Sequence, residues 1–330
     1  MDKKLRIVYL GTPEFAVEPL RRLVENWRSN AECGYEVAGV VTMPDKMINK
    51  RGTQLLMSPV KQYAVEQGLP LLQPVSLKDE AFLADLSAWK ADLQIVVAFR
   101  MLPESVWNMP RLGTFNLHAS LLPQYRGAAP INWAIINGDK ETGVTTFFLK
   151  HEIDTGDIIM QDRIPITCDD NAATLHDKLM YAGGSTVLKT VEAIVAGNTA
   201  AMPQERLVSN GEELRPAPKI FRETCRIDWD RPSIDIYNHI RGMSPYPAAW
   251  TELIDSDGNR VSVKIYEASI EAASHYIVSG TLLTDGRTYA KVASAGGYIH
   301  LLSLQLPGKK RMSAVDFMRG YNLKEVKIVK

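Results

Sequence analysis

The chain has 330 residues, of which 45% are hydrophobic and 23% charged, and its 38 Lys and Arg residues balance its 38 Asp and Glu residues. This composition indicates a globular protein with a buried core, and the zero net charge excludes a uniformly cationic protein. The three cysteines are far apart and form no CxxC pair or Cys/His cluster, so neither a disulfide framework nor a zinc site is predicted. No run approaches the roughly 18 apolar residues of a membrane span, so we expect a cytoplasmic protein without a membrane partner.

The first two-thirds of the sequence alternates predicted strands and helices. Strands are predicted where apolar residues run without interruption, and helices where apolar residues recur every three or four positions. In chain order these elements are a strand at Leu5–Leu10, a helix from Leu20 to Trp27, a strand at Glu36–Thr42, a helix at Leu77–Trp89 with Ser76 as its N-cap, strands at Leu93–Phe99, Phe115–His118 and Val144–Leu149, and a long helix from Leu175 to Ile194. This alternation predicts an α/β fold with a Rossmann-like, doubly wound and mostly parallel sheet.

The character of the sequence changes after residue 197. Residues 198–218 are polar and rich in Gly and Pro, which is typical of a linker. A helix is predicted at Ile234–Arg241, and short strands follow it, separated by Asp-Gly and Gly-Gly pairs that favour hairpin turns. We therefore predict a first domain at 1–197, a linker at 198–218 and a small β-barrel, which is OB-like, at 219–330.

The segment Phe115–Ile158 contains the polar residues best placed for catalysis. In a strand at Phe115–His118, Asn116 and His118 point to the same face, at the strand end where ligands bind in open α/β sheets. An Asn amide can donate to a developing oxyanion, and a His can move a proton near neutral pH. Asp154, in the turn-like sequence IDTGD, can support that His. Taken singly, a strand-end Asn or His is more often a structural hydrogen-bonding residue.

One long motif in this segment is specific enough to indicate a family. It reads NLHASLLPQYRGAAPINWAI from Asn116 onward, and TGVT and DTGDI follow it. The motif resembles that of the folate-dependent formyltransferases, and LGTPEFAV near the N-terminus is similar to their first strand and turn. The resemblance implies that Asn116, His118 and Asp154 are catalytic, that 10-formyltetrahydrofolate is the co-substrate and that no metal takes part. It also implies a formylfolate-binding site made of two loops, which comprise Phe99, Arg100, Met101, Leu102, Ser120, Leu121, Leu122 and Pro123.

Four further segments resemble the members of that family that act on methionyl-tRNA. Val41–Lys61 is similar to their inserted loop that enters the acceptor stem, Arg226–Asp230 and Ile240–Ala248 to the entry of their C-terminal domain, and Leu301–Ala314 to its basic loop. The likeness implies formyl transfer to initiator methionyl-tRNA in translation initiation, and we expect a monomer. The implied tRNA-binding residues are Lys46, Lys50, Arg51, Lys309, Lys310 and Arg311. Residues 207–330 carry 17 Lys and Arg against 14 Asp and Glu, which allows a modest RNA contact.

Several alternatives stay open on the sequence. An amino-sugar or nucleotide formyltransferase would use the same catalytic domain, a hydrolase would only deformylate the folate, and a non-catalytic RNA-binding protein would keep the fold alone. The sequence does not decide whether His118 or Asp154 moves the proton. It also does not decide which loop residue meets the acceptor stem, because the loop KMINKR at Lys46–Arg51 is poorer in Gly and Arg than is common in the family.

Overall fold

The computed structural model describes residues 4–48, 54–208, 211, 213–254, 257–323 and 326–329. The strands and helices in chain order are β1 (Leu5–Gly11), α1 (Val17–Ser29), β2 (Tyr35–Val41), β3 (Lys46–Ile48), β4 (Gln54–Leu56), α2 (Pro59–Glu66), β5 (Leu71–Leu72), α3 (Glu80–Ala88), β6 (Leu93–Val97), α4 (Glu104–Trp107), β7 (Thr114–His118), α5 (Pro130–Ile136), β8 (Glu141–Phe148), β9 (Ile158–Pro165), α6 (Ala172–Val195), α7 (Ser233–Met243), β10 (Ala249–Ile254), β11 (Arg260–Ala272), β12 (Leu282–Thr284), β13 (Ala290–Ser294), β14 (Gly297–Gln305), β15 (Met312–Ser313), α8 (Ala314–Gly320) and β16 (Lys327–Val329).

The chain divides into two compact units, and three stretches of sequence contribute to each. The first unit comprises Met1–Gly127, Thr142–Ile164 and His176–Pro216, and the second comprises Ala128–Glu141, Pro165–Leu175 and Ala217–Lys330. Two short stretches that precede the C-terminal part of the sequence therefore pack with it.

A seven-stranded sheet with the order β5-β2-β1-β6-β7-β8-β9 organises the first unit. The pairs of β1 with β2 and β6, of β2 with β5 and of β6 with β7 are parallel, whereas β8 runs antiparallel to β7. The side chains from Ile7 to Leu10 on β1 are fully buried, as a continuous apolar run in a covered parallel sheet requires. The predicted Rossmann-like, mostly parallel sheet is confirmed.

The start of helix α3 differs from the prediction. The helix begins at Glu80 rather than at Leu77, and its N-cap is Asp79, whose carboxylate accepts a hydrogen bond from the Phe82 backbone N–H at 3.2 Å. The predicted cap, Ser76, is wrong because its hydroxyl accepts instead from the Lys78 backbone N–H at 3.2 Å, in a local turn that precedes the helix. Ser and Asp are both favoured at helix N-caps, so the sequence pattern alone does not decide between Ser76 and Asp79.

The second unit is built on an antiparallel, barrel-like sheet with the order β12-β13-β14-β11-β10-β16, and β15 pairs with β14. Its core includes Trp229, Met243 and Phe317, all of which are 1% exposed or less. Trp229 also donates its indole N–H to the Thr251 hydroxyl at 3.0 Å, so its one polar atom is satisfied inside the core. The predicted small barrel is confirmed.

Helix α7 anchors the two short stretches to the second unit. The buried Arg241 guanidinium donates to the Asp170 carbonyl at 2.8 Å and to the Asn238 side-chain oxygen at 2.9 Å. Asn132 on α5 donates its amide to the Gly242 carbonyl at 2.7 Å. Burial lowers the pKa of Arg241, and carbonyl and amide oxygens at these distances compensate the desolvation of its charge. None of the described helices has both the length and the apolarity that crossing a bilayer demands.

Candidate active site

Asn116 and His118 lie on the same face of β7, at the end of a strand that is paired on both sides. The neighbours are β6 and β8, and His118 is directly opposite Thr145 in the register with β8. His118 is 7% exposed, and its ring meets the Phe147 ring edge-on at a centroid distance of 6.5 Å. Asn116 is partly exposed, and its amide makes no hydrogen bond to the described part of the chain. The Asn116 amide is therefore available to a ligand.

A backbone carbonyl fixes the tautomer of His118. The ring nitrogen Nε2 lies 2.8 Å from the Tyr125 carbonyl oxygen. A carbonyl oxygen can only accept, so Nε2 must bear the proton and donate it. In the neutral ring, Nδ1 is then the unprotonated nitrogen that can accept a proton.

Asp154 faces that free nitrogen. The distance between Asp154 Oδ2 and His118 Nδ1 is 3.9 Å, longer than a hydrogen bond but short enough to stabilise a protonated ring. The same Oδ2 accepts from the Gly127 backbone N–H at 3.0 Å. Asp154 has a φ of 56°, in the left-handed region, which costs a non-glycine residue on the order of 1 kcal/mol. The surrounding hydrogen bonds must offset this cost.

A residue that sequence reasoning missed supplies two of those bonds. Gln204 is fully buried, and its amide nitrogen donates to the carbonyls of Asp154 at 2.9 Å and Gly156 at 2.8 Å. Its side-chain oxygen accepts from two nitrogens of Arg126, at 3.0 and 2.6 Å. Gln204 lies in the polar segment interpreted as a linker, and composition gave no signal for it there. Gln204 is far in sequence from the two carbonyls that it binds, so only the three-dimensional structure shows the contact.

The loop Ser120–Pro123, one half of the predicted formylfolate-binding site, is fixed from β8 and β9. The Thr145 hydroxyl donates to the Ser120 carbonyl at 2.6 Å and accepts from the Leu122 backbone N–H at 3.1 Å. Gln161 donates to the Leu122 carbonyl at 2.8 Å and to the Thr145 hydroxyl at 2.9 Å. The Thr145 hydroxyl thus uses its one donor and both acceptor positions. The loop that it holds begins two residues after His118. The peptide bond between Leu122 and Pro123 is cis.

The loop Phe99–Leu102, the other predicted half, follows the end of β6. Arg100 donates to the carbonyls of Pro74 and Val75 at 2.6 and 2.8 Å, and burial lowers its pKa. The Arg100 guanidinium therefore binds the segment that contains Pro74 and Val75. The other three residues differ in exposure, because Phe99 is half-buried, Met101 is 78% exposed and Leu102 is buried in the core.

One of the predicted tRNA-binding residues of the first unit lies on the hairpin formed by β3 and β4. Lys46 is on β3 and exposed, whereas Lys50 and Arg51 lie outside the described residues. The hairpin also exposes large apolar side chains, with Met47 at 66% and Leu55 at 54%.

The three predicted cations of the second unit are not equivalent. Lys309 and Lys310 are exposed in the turn after β14. Arg311 is engaged with the sheet, because it donates to the Ser303 hydroxyl at 2.7 Å, forms an ion pair with Glu267 and stacks over the Tyr266 ring at 4.7 Å. Part of its charge is therefore neutralised within the protein.

The arrangement combines three groups that can assist acyl transfer to an amine. The Asn116 amide can donate to an oxygen that gains negative charge, Nδ1 of His118 can accept a proton, and Asp154 can stabilise the resulting cation. All three belong to the first unit, and backbone groups or buried side chains fix the last two.

Comparison with known proteins agrees with this chemistry. Residues 5–191 match the family model described as formyl transferase, and residues 219–322 match that of the formyl transferase C-terminal domain. The chain is 60% identical to a methionyl-tRNA formyltransferase of Bacteroides fragilis over 97% of this chain and 96% of that protein. It is 63% identical to one of Phocaeicola vulgatus, over 97% of each chain.

Solved structures share the fold at lower sequence identity. The chain is 20% identical to WlaRD, a sugar 3N-formyl transferase, with a TM-score of 0.61 over 93% of this chain and 99% of that one. HypX from Aquifex aeolicus, in complex with tetrahydrofolic acid, matches with 20% identity and a TM-score of 0.61 over 96% of this chain and 47% of that one. On the two family matches and the relatives that span nearly its whole length, the chain belongs to the formyl transferase family.

Proposed function

We propose that this chain transfers the formyl group of 10-formyltetrahydrofolate to the free amine of initiator methionyl-tRNA, giving formylmethionyl-tRNA for translation initiation. The observation that carries the proposal is the ordered set of Asn116, His118 and Asp154, in a chain that is 60% identical over 97% of its length to a methionyl-tRNA formyltransferase. Residues 1–197 form the catalytic domain, 198–218 the linker and 219–330 a domain that contacts the tRNA.

The donor binds against the two loops at the ends of β6 and β7. Backbone groups of Phe99–Leu102 grip the pterin, and the loop Ser120–Pro123 lies beside the formyl group. Because Thr145 and Gln161 already hold the carbonyls of Ser120 and Leu122, this second loop is ordered before the donor arrives. A loop that is ordered in advance loses less entropy on binding.

The methionyl amine, in its neutral form, attacks the formyl carbon and forms the new C–N bond. Negative charge develops on the formyl oxygen, and the Asn116 amide donates a hydrogen bond to it. One such donor typically lowers the barrier by about 2.7–4 kcal/mol. The bond from the formyl carbon to the folate nitrogen then breaks, which releases tetrahydrofolate and the formylated amine.

His118 moves the proton from the attacking nitrogen to the departing folate nitrogen. Nε2 donates to the Tyr125 carbonyl, so Nδ1 is the nitrogen that accepts the amine proton and passes it on. Asp154 stabilises the transient cation from 3.9 Å. No atom of the enzyme becomes bonded to the formyl group.

The tRNA is held by exposed cations. Lys46 on β3, together with Lys50 and Arg51, contacts the acceptor stem, and Lys309, Lys310 and Arg311 contact phosphates. Such contacts contribute affinity that depends on salt and not on sequence. The enzyme acts as a monomer in the cytoplasm.

The test is formyl transfer from 10-formyltetrahydrofolate to purified methionyl initiator tRNA, with uncharged tRNA as the control. Transfer to the charged tRNA alone supports the proposed acceptor. Tetrahydrofolate binding without transfer to charged tRNA would contradict the proposed acceptor and leave sugar and nucleotide amines to be tried.

A further inference from the structure

Gln204 is the centre of a closed hydrogen-bond network in the first unit. It is fully buried, and its amide nitrogen uses both protons, on the carbonyls of Asp154 and Gly156. Its oxygen uses both lone pairs, on two nitrogens of Arg126. Carbonyls can only accept and a guanidinium can only donate, so the orientation of the amide is fixed by its partners.

The backbone around Gln204 brings it to this place independently of its side chain. The Met202 N–H donates to the Ile158 carbonyl at 2.8 Å, and the Ile158 N–H donates to the Met202 carbonyl at 2.8 Å. Pro203 and a short helical turn at Gln204–Leu207 follow at once. These two hydrogen bonds fix Met202, which precedes Gln204 by two residues, beside Ile158, the first residue of β9.

The turn at Asp154–Gly156 needs an outside donor. Asp154 adopts the left-handed conformation with a φ of 56°. A Cβ at Gly156 would lie 1.5 Å from the Phe148 carbonyl oxygen, so the turn is pressed against β8 and cannot move that way. The carbonyls of both residues receive their hydrogen bonds from Gln204, and buried carbonyls without a partner are costly.

The same network reaches the segment from Tyr125 to Gly127, which follows the loop Ser120–Pro123. Arg126 donates to Gln204, and its two neighbours in the sequence contact His118 and Asp154. Tyr125 accepts from His118 Nε2, and the Gly127 N–H donates to the Asp154 carboxylate. Gln204 therefore ties the backbone that presents Asp154 to the backbone that orients His118.

We propose that Gln204 is a positioning residue of the formyl transfer, which sets the separation between Asp154 Oδ2 and His118 Nδ1 through two backbone carbonyls. The inference rests on the proposed function for its kinetic part. Gln204 is fully buried and out of reach of either substrate, so we expect it to act on turnover and not on substrate affinity.

The first experiment compares Q204M with the wild-type enzyme. Methionine has a similar volume, so packing is retained while all four hydrogen bonds are removed. We expect kcat per tetrahydrofolate-binding site to fall about 100-fold, the loss that follows from displacing a catalytic group by about 1 Å, with KM unchanged for both substrates. Counting sites by tetrahydrofolate titration removes any loss that comes from misfolded enzyme. Normal kcat in Q204M overturns the proposal.

Two further variants separate positioning from packing. Q94M makes the same exchange at another fully buried glutamine of the first unit, on β6, and is expected to keep normal kcat. Q204E retains a partner for Arg126 but cannot donate to the carbonyls, so it is expected to lose kcat as severely as Q204M. Normal kcat in Q204E, or an equal loss in Q94M, contradicts the assignment.

A structural measurement does not depend on the identity of the acceptor. In crystals of Q204M we expect Asp154 to leave the left-handed region and the distance from Oδ2 to His118 Nδ1 to exceed the 3.9 Å of the wild type. An unchanged Asp154 in that variant refutes the positioning role. Absence of transfer to methionyl-tRNA by the wild-type enzyme would refute the proposed function and leave this test intact.

Discussion

The catalytic loops of the first unit and the basic turn of the second unit hold their polar groups in opposite ways. His118 and Asp154 are each restrained by a backbone partner, and Gln204 behind them is fully buried. Lys309 and Lys310, in contrast, are exposed in a turn. The difference fits the roles proposed for the two regions, because acyl transfer depends on atoms held within fractions of an ångström, whereas phosphate binding depends mainly on charge.

The largest effects are expected where the catalytic set itself is broken. Asn116→Ala and Asp154→Ala should abolish measurable turnover, a loss of at least about 100-fold to 1,000-fold, because each removes a group that acts on developing charge. Tetrahydrofolate binding and the circular dichroism spectrum should stay normal. Asp157→Ala is the matched control, since it removes a carboxylate three residues away that pairs with Lys150 on the surface. Near-normal rates in either Asn116→Ala or Asp154→Ala would refute the assignment.

A smaller effect is expected where the donor loop is loosened. Thr145→Val keeps the shape of a fully buried side chain but removes the hydroxyl that holds Ser120 and Leu122. We expect the KM for 10-formyltetrahydrofolate to rise about tenfold, which corresponds to roughly 1.4 kcal/mol for hydrogen bonds removed from a buried site. Thr146→Val is the control, because Thr146 is equally buried but bonds to Thr190 on α6. Equal changes of KM in both variants would argue against a role of Thr145 in donor binding.

The sequence predicted the proposed catalytic residues better than it predicted the groups that hold them in place. Asn116 and His118 follow from side-chain alternation on one strand, and Asp154 is a candidate from the turn-like sequence IDTGD, which the family resemblance also indicates. Tyr125, Gly127 and Gln204 were not anticipated, because they act through backbone groups or across about 50 residues of sequence, and no local pattern records such contacts. The predicted N-cap at Ser76 is wrong for a related reason, because both Ser76 and Asp79 can cap a helix and only the local turn determines which of them does.

The variant Arg51→Ala tests the proposed contact between the first unit and the acceptor stem of the tRNA. We expect this variant to raise the KM for methionyl-tRNA several-fold, because a contact to the acceptor stem contributes on the order of 1 kcal/mol, and to leave the KM for formylfolate unchanged. Arg28→Ala provides the control, because Arg28 is an exposed cation that bonds to Gln67. Parallel increases of both KM values in Arg51→Ala would place this residue outside the tRNA site.

The smallest effects are expected in the basic turn of the second unit. Replacing Lys309 and Lys310 by Ala should weaken tRNA binding modestly and reduce the slope of log K against log salt by about 1 for each phosphate that is no longer neutralised. Arg311→Ala should also lower the thermal midpoint by a few degrees, since Arg311 bonds to Ser303 and Glu267 within the protein. A salt slope that stays unchanged in the double lysine variant contradicts the proposed phosphate contacts.

The most direct test of the proposed reaction offers competing acceptors to the wild-type enzyme at once. One reaction would contain 10-formyltetrahydrofolate labelled in the formyl group, methionyl initiator tRNA and an amino-sugar nucleotide. We predict that the label moves to the charged tRNA alone. Label in the sugar nucleotide, or released as formate with none in the tRNA, would contradict the proposed reaction.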